Sequence, residues 1–514
     1  MTRRVVLDGE SLTIEQVKRV ARDGAAVSVS ARARKAVSRC STALRTLVAR
    51  GERMYGVTTG FGEMANVPVP GELAGELQAR LVRSHAAGYG EAQPVEAVRA
   101  AILCRANTIA KGLSGTRPEV LHALVELLNR GIAPLVLEKG SLGASGDLAP
   151  LSQVALVLIG EGEAYYNGEL VPAALALKKA GLEPVEFTFK EGLSLINGSQ
   201  MMTGELALRC ADAENILRNA IVAFAMTLEA LGGRRDAFDP RIHEARPFIG
   251  QIAFAENMRR LTNGSEIARE SPEGIQDAYS LRCLPQILAP SLDALAYVER
   301  QTSIELNAAA DNPLVFPESK THIAGGNFHG QAIGMAADIL AIALSEVADV
   351  SERHTNRLLN ARLSGLPQFL VKGKGLNSGL MGAQFTAAAL VSENKVFSHP
   401  GVVDSISVAA DEEDHVSMGP VSVRKLKEIE RNVIGVIAVE MMSAAQALDF
   451  RKPKRPGFGV RSAYRLLRSA VDHLEDDRPL HTDIGKIATL IHEGTLVRAA
   501  ERRIGPITLG SYPQ

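Results

Sequence analysis

Only four cysteines (Cys40, Cys104, Cys210 and Cys283) occur in 514 residues, and they form no Cys-x-x-Cys and share no paired histidine spacing. A disulfide scaffold and a structural zinc site are thereby excluded, and a reducing cytosol fits. Positive charge is not in excess: 57 Lys and Arg against 58 Asp and Glu leave a net charge of −1. Binding nucleic acid through bulk charge is excluded on that ground. Long apolar runs are missing as well; Leu148 to Gly160 is closed by Asp147 and Glu161, short of a membrane span. Met1-Thr2-Arg3-Arg4 leads into no apolar stretch of signal-peptide length. A hydrophobic content of 46% with 22% charge is globular rather than disordered. The expectation is a soluble cytoplasmic protein with no metal, membrane or nucleic acid partner, large enough for more than one layer or domain.

What the chain does have is a concentration of glycine in one run, Gly140-Ser141-Leu142-Gly143-Ala144-Ser145-Gly146-Asp147-Leu148-Ala149-Pro150. Each glycine in a helix interior costs roughly 1 kcal/mol relative to alanine, so this run is a loop folded tightly on itself. At its centre Ala144-Ser145-Gly146 can react with itself. Gly146 lacks a Cβ, so its nitrogen can approach the Ala144 carbonyl carbon in a strained turn. Ring closure and loss of two waters, one of them from the Ser145 hydroxyl, would leave an exocyclic methylidene on an imidazolone. That group is an electrophile, which no unmodified side chain supplies. Ala-Ser-Gly alone is common by chance, and the surrounding run is what gives it weight.

The periodicity of the remaining chain is helical. Ser11 to Asp23 and Ala31 to Arg50 read as amphipathic helices; Val95 to Asn129 is helical with a break at Gly112 to Pro118, and Leu151 to Leu158 is an apolar helix. Tyr165 to Val171, around the Asn167-Gly168 turn, and Glu186 to Phe189 read as short strands and as the only sheet. Ser199–Leu231, Leu284–Ala309, Met335–Ser364 and Val421–Asp449 are long helical stretches that must pack side by side. The fold class is mainly α, a long-helix bundle with few short strands. The expected division is an N-terminal domain over 1–198 carrying the reactive loop, a bundle over 199–451 and a helical cover over 452–514. No constant repeat is visible, which excludes a solenoid.

Several loops carry side chains suited to chemistry. Tyr55, in Tyr55-Gly56-Val57-Thr58-Thr59-Gly60-Phe61-Gly62, offers a phenol able to act as base or acid. Asn197, before Gly198, can donate and accept. Tyr279 and Arg282 are three apart and project from one face of a helix start, within the Ser271–Pro285 segment that also holds Gln276. Arg282 presents a planar fork for a carboxylate. Arg105 reads as an ordinary charged residue, and the acids Asp411, Glu412, Glu413 and Asp414 read, without context, as a solvated run.

Taken together these motifs resemble the aromatic amino acid ammonia-lyase and 2,3-aminomutase family. The resemblance runs from about Tyr55 to Asp449 through the 140–150 loop, Tyr55–Gly62, Arg83-Ser84-His85, the Asn197-Gly198 loop, Leu306–Pro313, Gly325–Gln331 and Glu413-Asp414-His415-Val416-Ser417-Met418. It implies a 4-methylidene-imidazol-5-one group formed from Ala144, Ser145 and Gly146 without an external cofactor, with Phe328 near that ring. It implies Tyr55 or Tyr279 as the base, Arg282 clamping the substrate carboxylate, and Gly60, Asn197 and Gln276 on the substrate side. His85 and Glu413 would address the ring of an aromatic amino acid, and active sites would be shared in a homotetramer. Ser84-His85 looks like the histidine lyases and some tyrosine aminomutases of the family, and Glu413 looks like the histidine lyases. Thr58, Gln153 and the run from Ala106 to Gly112 depart toward tyrosine or phenylalanine lyases and aminomutases, which stay open as alternatives. A fumarase-type lyase is disfavoured because its Gly-Ser-Ser loop is absent; a non-catalytic scaffold requires a loop that never cyclises.

Overall fold

The computed structural model describes residues 4–268, 275–373, 375–510 and 512. Ser271, where the Ser271–Pro285 segment opens, lies outside the described residues. The protein is 59% helical, with few short strands, as the periodicity requires. It divides into two compact units, one comprising 1–211, 299–338 and 400–424, the other 212–298, 339–399 and 425–514. Four long helices, Gln200–Ala230, Leu284–Leu306, Gln331–Leu359 and Gly419–Asp449, contribute residues to both.

The first unit is built around the helix Val95–Ala110, which is buried from Ala97 through Ala110. Apolar residues on every face explain this: Val98, Ile102 and Ile109 on one side, Ala100, Leu103 and Ala106 on others, all joined to one core. The helices Ile14–Ala21 and Pro118–Asn129 pack against it. Thr13 and Gln16 cap the first reciprocally, and proline at the first position starts the second.

The sheet expectation needs correction. Glu163–Tyr166 and Glu169–Pro172 do form a hairpin. Asn167 and Gly168 supply its turn with the paired positive φ values, 53° and 84°, that such a turn needs. It is not the only sheet: Val5–Leu7 pairs in parallel with Val27–Val29, Tyr89–Ala92 pairs with Leu137–Lys139, and Leu314–Phe316 pairs with Thr321–Ile323. Glu186–Phe189 is not a strand. Its polar backbone is satisfied by side chains instead: Arg117 donates to the Glu186 carbonyl at 2.6 Å, and the Thr188 N–H donates to the Glu191 carboxylate at 2.8 Å. Met335–Ser364 also differs. The helix begins at Gln331 and breaks at Asn360, whose side chain accepts from the Arg362 N–H and caps the short turn Ala361–Ser364.

The second unit is helical, adding Ile249–Leu261, Met381–Phe397, Phe458–Ala470, His481–His492 and Thr495–Ile504 to its shares of the long helices. Its polar centre is Asp449. The carboxylate meets Lys452 at 2.8 Å, Arg468 at 2.8 Å and His473 at 2.8 Å, and accepts from the Tyr464 hydroxyl. Burial alone would raise its pKa, but these four partners together hold it at about 2. A carboxylate depressed in the folded state stabilises above its unfolded pKa and loses that contribution as pH falls toward the folded one. Asp449→Asn is therefore expected to cost about 2 kcal/mol at pH 7 and roughly half as much near pH 3. Thermal midpoints of variant and parent at the two pH values test this; a gap that does not narrow in acid removes the argument.

Candidate active site

The 140–150 loop takes the conformation its glycines permit. Gly143 and Gly146 have φ of 87° and 85°, and Ser145 between them is held at 52°, a left-handed conformation unusual for a residue with a side chain. The Gly146 N–H donates to the Gly143 carbonyl at 3.2 Å, closing the turn, and the Ser141 hydroxyl donates to the Gly146 carbonyl at 3.0 Å. The outer side pairs with the Asn197-Gly198 loop. The Gly198 N–H donates to the Ser145 carbonyl at 3.1 Å, the Asp147 N–H donates to the Gly198 carbonyl at 2.7 Å, and the Asn197 amide donates to the Ser145 carbonyl at 3.4 Å. No room remains for a Cβ at either glycine: one on Gly146 would lie 2.2 Å from the Gly198 carbonyl oxygen, one on Gly198 2.2 Å from that of Ala310.

The chemistry of the tripeptide meets a carboxylate. The Ser145 hydroxyl donates to Glu413 Oε1 at 2.6 Å. Of the acidic run, Asp411, Glu412 and Asp414 are exposed as a solvated run should be, whereas Glu413 is half-buried. Ala144 packs with Val416 and Met418, and the Met418 N–H donates to the Leu142 carbonyl at 2.9 Å, which fixes the Glu413 segment to the loop. Behind the loop, Asp147 is fully buried and accepts from the Met202 N–H in the first turn of Gln200–Ala230. Burial raises its pKa to about 7 against the pull of those N–H groups and of Arg105.

Tyr55 stands on its glycine-punctuated loop, edge-on to Phe61 at 6.2 Å, and its hydroxyl accepts from the Gly62 N–H at 3.2 Å. Burial raises its pKa, the Gly62 N–H opposes this, and Glu413 and Glu412 raise it further. Gly60 donates to the Val67 carbonyl at 3.0 Å. His85 closes the helix Ala74–His85 with Nδ1 2.9 Å from the Leu81 carbonyl, to which it donates. Phe328 is half-buried in the segment where Gly325 N–H donates to Asn312. Within this unit, hydrogen bonds thus join Asn197 and Glu413 to Ser145, with Gly146 next to it in the turn and Ala144 packed against the Glu413 segment.

Gln276, Tyr279 and Arg282 belong to the second unit. Tyr279–Arg282 is a single helical turn, and the guanidinium of Arg282 lies 4.5 Å over the Tyr279 ring, as their spacing predicts. Tyr279 is 69% exposed. Gln276, Asp277 and Arg282 line a cavity of about 260 Å³ with Arg234, Cys283 and Gln286. Among the described residues no cluster of side chains could hold a metal ion, and no helix is long and apolar enough to cross a membrane.

Thr58, Gln153 and Asn107, the last within the departing run from Ala106 to Gly112, have internal work. Thr58 accepts from the Met54 N–H at 2.9 Å and donates to the Glu52 carbonyl at 3.0 Å. Gln153 accepts from the Leu137 N–H at 2.8 Å, and Asn107 bonds Gly9 and the Leu306 carbonyl, both at 3.0 Å. A residue missed in the sequence is Arg105. It is not an ordinary surface charge but fully buried, with its guanidinium on the carbonyls of Ser194 and Asn197. Its place as the one charged residue in the helical run from Ala100 to Ala110 was the available signal.

The family model for aromatic amino acid lyases matches residues 12–469. The chain is 47% identical over 503 residues to a histidine ammonia-lyase of Alkaliphilus oremlandii, covering 98% of this chain and 99% of that one. It is 49% identical over 508 residues to the histidine ammonia-lyase of Gloeobacter violaceus, with 98% and 99% covered. Among solved structures, tyrosine aminomutase from Streptomyces globisporus superposes with a TM-score of 0.94 at 40% identity, covering 98% and 99%. Histidine ammonia-lyase from Trypanosoma cruzi gives 0.90 at 38%, covering 98% and 96%.

Gly198→Ala is expected to cost about 3 kcal/mol or more, since strain and overpacking coincide there. Gly168→Ala, also at positive φ but with open space around it, should cost only about 1 kcal/mol. Denaturant unfolding of both variants tests this; equal costs would refute the claim that the 198 site is packed shut.

Proposed function

The chain belongs to the aromatic amino acid lyase family, and we propose that it eliminates ammonia non-oxidatively from L-histidine to give trans-urocanate. The observation that carries the substrate is the 2.6 Å contact between Ser145 and Glu413. A molecule bound at the Ser145 side chain lies against this carboxylate. An imidazole N–H satisfies a half-buried carboxylate; a phenyl ring would leave it desolvated and unpaired. Thr58, Gln153 and, within the departing run from Ala106 to Gly112, Asn107 do not weigh against histidine, because each is used to hold the chain to itself.

The residues fit a methylidene-imidazolone. The turn presents Gly146 N toward Gly143, Ser145 is already in the left-handed region, and no Cβ fits at Gly146. Ala144, Ser145 and Gly146 would form the group, and once formed it supplies the electrophile needed to make an amine a leaving group. The chain's own residues do the rest. Tyr55 takes the β-proton; its hydroxyl already accepts from Gly62, which favours the phenolate, and a cation held against Glu413 offsets the two carboxylates that disfavour it. His85 Nε2 accepts from the substrate ring and Glu413 pairs with it. Asn197 and Gln276 orient the substrate, and Arg282 grips its carboxylate with Tyr279 beneath the guanidinium. Holding the reacting groups in place supplies part of the barrier reduction.

We place the enzyme in the cytoplasm as a homotetramer with shared active sites. Exposed apolar side chains at Ile342, Phe385 and Val396 support subunit contacts. A tyrosine aminomutase is the second reading, favoured by the similarity to the Streptomyces globisporus structure.

Incubation with L-histidine, L-tyrosine and L-phenylalanine, followed by NMR, separates these readings. Urocanate from histidine alone is expected, and Glu413→Gln should lower kcat/KM for histidine about 30-fold or more. A β-amino acid product, or cinnamate or coumarate in place of urocanate, would overturn the assignment. Intact mass should fall short of the encoded chain by two waters, and Ser145→Ala should remove both the deficit and the activity.

A further inference from the structure

We propose that Arg105 is a positioning residue for formation of the prosthetic group: its guanidinium fixes the Asn197-Gly198 shelf that presses Ser145 and Asp147 into the reactive turn. The inference rests on the reading of Ala144-Ser145-Gly146 as a self-cyclising tripeptide. In that closure the Gly146 nitrogen bonds to the Ala144 carbonyl carbon. The carbonyl oxygen leaves as water with the amide hydrogens of Gly146 and Ser145. The Ser145 hydroxyl leaves as a second water with the Cα hydrogen of Ser145, and nothing is oxidised or reduced. Arg105 bonds to none of these atoms, so it acts through the backbone.

The geometry is specific. Arg105 NH2 donates to the Asn197 carbonyl at 2.8 Å and to the Gln200 side-chain oxygen; NH1 donates to the Ser194 carbonyl at 3.0 Å and lies 3.5 Å from that of Ala310. Gln200 in turn donates to Thr108 at 3.0 Å and to the Ala310 carbonyl at 3.3 Å. The next residue after the anchored Asn197 carbonyl is Gly198, whose N–H and C=O make the two backbone bonds to Ser145 and Asp147. One fork therefore gathers the carbonyls on both sides of the space into which a Gly198 Cβ would project, where Ala310 O and Arg105 NH2 lie at 2.2 and 2.8 Å. A lysine offers a point charge and cannot span these acceptors. Burial lowers the Arg105 pKa to about 10, against Asp311 and Asp147, which raise it, so the fork is charged at neutral pH. Lys190, also buried, is occupied by Asp311 at 2.9 Å and Ser194 at 3.0 Å and cannot replace it.

The test is the intact mass of purified, folded full-length chain, with far-UV circular dichroism as the folding control. Arg105→Lys is expected to raise the uncyclised fraction at least about tenfold over the parent, through loss of charge-assisted hydrogen bonds. Asn107→Ala removes buried hydrogen bonds two residues away on the same helix without touching the shelf, and should remain cyclised. Complete cyclisation of folded Arg105→Lys overturns the inference, as does an equal defect in Asn107→Ala, which would mark a general folding effect. If Arg105→Lys does not fold, Gln200→Met carries the test: uncyclised chain supports the inference and full cyclisation overturns it. A parent chain at its encoded mass would instead remove the prosthetic-group reading itself.

Discussion

Two backbone hydrogen bonds, from Gly198 to Ser145 and from Asp147 to Gly198, are the constraint on which the site depends. They set the register of a turn that its own sequence would leave free, because a loop with three glycines in seven residues has large conformational entropy to lose. Everything nearby reinforces that register. Arg105 and Gln200 hold the shelf from below, the first turn of Gln200–Ala230 receives Asp147, and the Glu413 segment is tied to the loop through Leu142 and Met418. The candidate site is built from short loops clamped by a buried core.

Electrostatics follows the same division. Charges that hold the scaffold are buried and paired: Lys190 with Asp311, Glu191 with Arg117, and Asp449 with its four partners. Two groups of the candidate site are incompletely satisfied. Glu413 has one hydrogen bond from a hydroxyl that the proposed cyclisation removes, and Tyr55 has one donor against two nearby carboxylates. A polar group left short of partners in a half-buried place is primed for a ligand that supplies them.

The loops of the candidate site were legible in the sequence because Gly143, Gly146, Gly60 and Gly198 break the helical period, and each stands near a side chain able to react or bind. The long helices were legible from the absence of breakers. Of the strands, the hairpin around Asn167-Gly168 was legible from its turn, and the others were not. Two- to four-residue strands such as Ala133–Pro134 and Val5–Leu7 are too short for alternation to register, and their pairing is decided by the packing around them. Glu186–Phe189 failed as a strand because side chains took its hydrogen bonds, Arg117 from a distance in sequence and Glu191 from three residues on. Arg105 was hidden for the opposite reason. Its type suggests solvent, and only the three-dimensional convergence of the Ser194, Asn197 and Ala310 carbonyls gives a guanidinium something to do in the interior.

The left-handed backbone of Ser145 has a stereochemical consequence. At φ of 52° an L-configured Cα sets its Cβ against the backbone, at a cost of about 1–2 kcal/mol. In the proposed cyclisation, loss of the Cα hydrogen would make that carbon trigonal and abolish its handedness, so the mismatch between an L residue and a left-handed turn would go with the stereocentre. A D-configured residue at 145 would sit in the turn without that mismatch and would bring none to relieve.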